Sequence, residues 1–103
     1  MASNNSYVIG DIIPLVSNFV DKDNSVINVN NAVAQIFFQN SVINMISLSE
    51  ILPGIYTAEW NTNGLSEGEY QILFSGYYSL ESTTIQYLET YNLVSQPQIC
   101  FGN

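Results

Sequence analysis

Apolar and polar residues alternate along much of this chain, and no segment keeps a helical period. Ile55 to Asn61 gives the clearest case. Tyr56, Ala58 and Trp60 share one face, and Thr57, Glu59 and Asn61 share the other. That is the pattern of a half-buried antiparallel strand. Glu69 to Gly76 alternates again, with Tyr70, Ile72 and Phe74 inward. Tyr7 to Ile9 is a short apolar run closed by Gly10-Asp11. Ile12 to Val20 is apolar but contains Pro14, which has no N–H to give a ladder. It marks an edge strand or a strand that switches sheets. Val26 to Asn31 reads as a loop with Val29 as its inward anchor.

Ala32 to Phe38 places Ala34, Ile36 and Phe38 on one face. Val42 to Leu48 follows, with Val42, Ile46 and Leu48 on one face and Asn44 interrupting. Thr83 to Val94 is long and rich in β-branched and aromatic residues. Its apolar face is Ile85, Tyr87, Tyr91 and Leu93, with Glu89 among them, and a bulge near Leu88 to Thr90 would turn Glu89 outward. Turn residues separate the runs: Asp21 to Ser25, Gln39 to Ser41, Pro53-Gly54 and Thr62 to Gly64. Short strands at this spacing predict an all-β fold, an antiparallel β-sandwich of six to seven strands. Residues 1–6 form an N-terminal arm, 7–94 the sandwich and 95–103 a C-terminal tail.

The segment Leu65 to Ile72 carries the most specific local signal. A tight turn with Gly68 two residues before the inward Tyr70 has the form of a tyrosine corner. There the ring packs in the core and the hydroxyl bonds backbone a few residues upstream. This role is structural.

Composition narrows the function. The chain has 103 residues, enough for one domain with its own core. It carries nine carboxylates, one lysine, no arginine and no histidine, for a net charge of −8. One cation cannot neutralise a phosphate backbone or an anionic membrane, so neither nucleic acid nor lipid surface is an expected partner. Charged residues make up 10%, and asparagine and serine fill the polar positions. A surface short of lysine lacks the usual guard on sheet edges. It is either covered by neighbours or the product of drift toward asparagine.

Candidate chemistry is sparse. A serine nucleophile has no histidine base. Glu59, Glu67 and Glu69 are close in sequence but on outward positions, and a small sandwich offers no deep cleft for a carboxylate pair. Asp21-x-Asp23-x-Ser25 spaces oxygen ligands as calcium loops do. However, Val26 stands where such a loop needs glycine and Ala32 where it needs glutamate, so a solvated turn is the better reading. No cofactor, metal or enzymatic activity is expected. Cys100 is the single cysteine and has no internal disulfide partner. Tyr77 and Tyr78, at a predicted strand end, are candidate contact residues that stack on a sugar or anchor a protein, or else one of them caps the core. Ile99 and Phe101 lie beyond the last strand, where apolar residues fold back on the core or dock on a neighbour. Met1 to Ser6 has neither a basic nor an apolar region of the kind a signal peptide needs, so the expected setting is a reducing cytosol followed by release through lysis.

Several motifs occur in a familiar order: Tyr7-Val8-Ile9-Gly10-Asp11, the Asp21-Lys22-Asp23-Asn24 turn, Pro53 to Trp60, and Glu67-Gly68-Glu69-Tyr70. In that order the chain resembles small immunoglobulin-like proteins of tailed bacteriophages, over roughly residues 7–94. Asn24 replaces the usual turn glycine, and the disulfide-plus-tryptophan pattern of antibody domains is absent. The resemblance implies an immunoglobulin-like sandwich and a virion location, as a head decoration, head-fibre, neck, tail or baseplate accessory. Its partners would be other virion proteins, such as the major capsid protein or neck and tail proteins, with self-association possible. A carbohydrate- or receptor-binding module, with Tyr77, Tyr78 and loop asparagines as its platform, is the alternative from another class.

Overall fold

A computed structural model describes residues 6–95. They form eight strands: β1 (Ser6–Val8), β2 (Ile12–Asn18), β3 (Asn30–Phe38), β4 (Ser41–Ser47), β5 (Ser49–Leu52), β6 (Ile55–Asn61), β7 (Gly68–Tyr78) and β8 (Thr83–Val94). A single 3-10 turn, Ser79–Glu81, joins β7 to β8. The strands make a five-stranded sheet, β1-β8-β7-β3-β4, packed on a three-stranded sheet, β2-β6-β5. Consecutive strands switch sheets, and the order matches the immunoglobulin-like arrangement. The expected count of six to seven is one short because β5 was not anticipated. One pair also departs from the antiparallel rule: β1 runs parallel to β8, with Ser6 beside Asn92 and Val8 beside Val94.

Alternation sets the core. In β2, Ile13, Leu15 and Ser17 are buried, while Ile12, Pro14 and Val16 face out. Pro14 is tolerated because β2 is an edge strand with β6 as its neighbour. In β6 and β7 the buried residues are Tyr56, Trp60, Tyr70, Ile72 and Phe74. Burying one such large apolar side chain contributes about 1.5–3 kcal/mol. Trp60 sits at the centre, edge-on to Tyr70 at 5.6 Å and to Tyr91 at 6.1 Å between ring centroids.

Three side chains tie the layers together. The Tyr56 hydroxyl accepts from the Val29 N–H at 2.7 Å and donates to the Val29 carbonyl at 3.1 Å. The crossover before β3 therefore has two buried anchors, Ile27 and Val29, rather than one. Tyr87 on β8 donates to Ser17 Oγ on β2 at 2.7 Å, a bond between sheets. Thr62, fully buried, donates to the Asp11 carbonyl at 2.7 Å and accepts from the Gly10 N–H at 2.9 Å.

Two expectations about strand faces are corrected. The bulge lies in β4 rather than β8: Ile36 pairs with Asn44 but Phe37 with Val42, which leaves Ile43 as the extra residue. The bulge turns Val42 to the outer face. In β8 the register against β7 runs unbroken from Tyr78–Thr83 to Gly68–Leu93. Glu89 therefore stays on the face of Tyr87 and Tyr91, half-buried, and accepts a hydrogen bond from the Tyr91 hydroxyl at 2.9 Å. It is tolerated there because β8 borders the open side of the sandwich. Burial and the neighbouring Glu89 carboxylate push the Tyr91 phenol well above its ordinary range.

Candidate contact surface

Tyr70 is buried and donates to the Ser66 carbonyl at 2.7 Å, closing the turn that leads into β7. Gly68 has φ +142°, and a Cβ there would press on the Phe38 ring, which stacks on Tyr70 at 4.4 Å. These residues hold a corner and face no ligand.

The remaining sequence candidates do not converge. Asp21 Oδ1 accepts from the N–H groups of Asp23 (2.8 Å) and Ser25 (3.0 Å), so its carboxylate is occupied in closing a turn. Asn24 takes the left-handed conformation there, φ 63°, in the position where the resembling proteins have glycine. Among the described residues no group of three or more acidic or cysteine side chains could hold a metal ion. Glu59 lies on the outer face of the small sheet and Glu69 on the outer face of the large one. These faces point in opposite directions. Glu67 accepts hydrogen bonds from the Ser95 N–H, at 2.9 Å, and from the Ser95 hydroxyl. Tyr77 and Tyr78 are consecutive strand residues and point to opposite faces. Tyr77 is exposed, while Tyr78 packs against the core, so the two rings do not make one platform. Ile99, Cys100 and Phe101 lie outside the described residues.

The outer face of the five-stranded sheet brings together residues that the motif search passed over. Its cross-strand rows follow from the registers. Ser47, Val33, Ser75 and Gln86 form one row, Met45, Gln35, Leu73 and Leu88 the next, and Val42, Phe37, Gln71 and Thr90 a third. Leu88 is 52% exposed, Met45 56% and Val42 50%. None of these positions is charged, and Glu69, paired with Asn92, stands at the lower margin. A sheet area of this width and length is roughly 400–500 Å2, from a strand spacing of about 4.8 Å and a rise of about 3.4 Å per residue. That is at the upper end of the largest apolar patch on typical monomers, and such patches are often functional. A signal for it exists in the sequence: Val26 to Ser49 and Tyr70 to Leu80 contain no charged residue. A chain of net charge −8 thus places its carboxylates at the loop ends, on the small sheet and along the open side. The large sheet face is left apolar and neutral polar.

Comparison of the chain with family models, with curated proteins and with solved structures finds no match.

Proposed function

We propose that this chain is a structural protein of a bacteriophage virion, a capsid decoration or other particle accessory, and that it works through protein–protein contacts rather than by catalysing a reaction. The observation that carries the reading is the uncharged outer face of the large sheet. Neutral polar groups interleaved with Leu88, Leu73, Met45 and Phe37 suit a flat, partly wet interface with a neighbouring protein. The order of motifs shared with small immunoglobulin-like phage proteins supplies the setting. The −8 charge favours a place on the outside or tail side of a particle, away from packaged DNA. Its partners are the major capsid protein or neck and tail proteins. The glycan-binding alternative loses its paired-tyrosine platform, because Tyr77 and Tyr78 sit on opposite faces.

Mass spectrometry of gradient-purified phage particles tests this. The intact protein is expected at stoichiometric copy number. Leu88→Glu, an exposed site, is expected to keep the melting temperature and lose occupancy on the particle. Absence of the intact protein from purified particles overturns the virion reading. Full occupancy by the variant overturns the role of the face.

A further inference from the structure

The two sheets end, on the side away from β4 and β5, in strands with an open flank. β2 pairs with β6 alone. β8 has β7 along its whole length, but β1 covers its other flank at Asn92–Val94. Among the described residues, Thr83 to Glu89 therefore offers a row of backbone groups with no strand beside it. In the immunoglobulin-like arrangement a first strand pairs with the counterpart of β2 at this side. Among the described residues no strand fills that role.

A groove of about 480 Å3 runs between the two open flanks, lined by Val16, Phe19 and Val20 on one wall and Ile85, Tyr87 and Glu89 on the other. The Thr83–Glu89 flank has no proline, no lysine and no bulge, the usual devices that keep a sheet edge from pairing. Its single guard is Glu89, whose Oε1 takes the Tyr91 hydroxyl while no cation among the described residues pairs with it. A carboxylate in an apolar groove discriminates among incoming strands. It penalises a purely apolar or acidic strand and favours one that brings a positive charge. A second copy of this chain is a poor occupant, since it brings nine carboxylates and one lysine.

We propose that this groove receives an extended strand from another protein, hydrogen-bonded to the free flank of Thr83–Glu89. The strand's alternate apolar side chains enter between Val16 and Tyr87, and a lysine or arginine meets Glu89. The incoming strand lies on the same flank as β1 and continues its line along β8. Seven residues span the site, about 23 Å at about 3.3 Å per residue. Main-chain bonds supply affinity, and the groove with its carboxylate supplies selection. This site is separate from the large sheet face and does not rest on the virion reading.

The test is titration of the isotope-labelled full-length protein with a blocked peptide, acetyl-Val-Thr-Lys-Thr-Val-Thr-Val-amide, followed by amide NMR shifts. Shifts are expected along Thr83 to Glu89 and at Val16 and Val20. The same peptide with glutamate in place of lysine is expected to bind at least tenfold more weakly. Glu89→Gln, which retains an acceptor for Tyr91, is expected to erase that preference while keeping the spectrum of the folded protein. Absence of shifts on β8 at millimolar peptide overturns the proposal. So does equal binding of the two peptides by the unaltered protein, or sedimentation showing that a second copy already fills the groove.

Discussion

Single hydroxyl groups do much of the fixing in this molecule. Tyr70, Tyr56, Tyr87 and Thr62 each carry a core-facing body and end on a named partner. Replacing Tyr70 with phenylalanine leaves the ring stack intact and strands the Ser66 carbonyl. The expected cost is about 1–2 kcal/mol, read as a lower urea midpoint at unchanged slope. Burial, acting first, lifts the phenols of Tyr70, Tyr87 and Tyr91 above their ordinary 10.0, and Glu89 lifts the last two further. A raised folded value means the unfolded chain ionises first. The stability these groups contribute is complete below the ordinary value and is lost as pH rises through the folded values. A melting series across the alkaline range should therefore fall steadily above about pH 10, and Tyr91→Phe should make that fall shallower. A flat alkaline profile would mean that the three phenols are solvated.

At the scale of elements, close approach of β7 to the crossover before β3 governs the upper half of the core. A Cβ at Gly76 would overlap the Val29 side chain, which the Tyr56 hydroxyl holds in place from both its N–H and its carbonyl. Gly76→Ala is expected to cost about 1–3 kcal/mol by overpacking. Combined with Val29→Ala it should cost less than the sum of the two, which a double-mutant cycle in urea would measure. Strands with one buried face were legible in the sequence, because β2, β6 and β7 alternate cleanly between inside and outside. β5 was not legible: all four of its residues are exposed, so it writes no burial pattern and is identified by its pairing with β6 alone. The Ile43 bulge was hidden for a related reason. β4 is an edge strand with little buried side, and either face of Val42 satisfies the local pattern. Glu89 was misplaced because polarity was taken to mean outward, when a strand bordering an open groove can hold a carboxylate on its inner face. The contact face went unseen for want of a motif. Its sign is a lack of charge spread over β3, β4, β7 and β8, which pairing alone assembles.

For the whole molecule, the most distant partners in sequence are those that finish the large sheet. Ser6 to Val8 pair with Asn92 to Val94, and the Tyr7 ring stacks on Tyr91 at 5.5 Å. Closing so long a loop costs entropy that local hairpins such as β7–β8 do not incur, so β1 should dock late. Tyr7→Leu is expected to speed unfolding in stopped-flow experiments and to leave the folding rate nearly unchanged. Equal slowing of folding would place β1 in the nucleus instead. The turn at Asp21 closes on its own backbone N–H groups, so adding a chelator should leave the melting temperature unchanged. A drop of several degrees would reveal a bound ion. The parallel sense of β1 and β8 has a mechanical consequence. Because the two strands point the same way, tension drawn through the preceding and following chain pulls β1 and β8 past each other lengthwise. The ladder, together with the Ile9 N–H to Val94 carbonyl bond at 2.9 Å, is then loaded in shear, every bond sharing the force. An antiparallel pair pulled from one end would peel apart a bond at a time. This arrangement lets the domain bear a stretching load along the axis of its own chain.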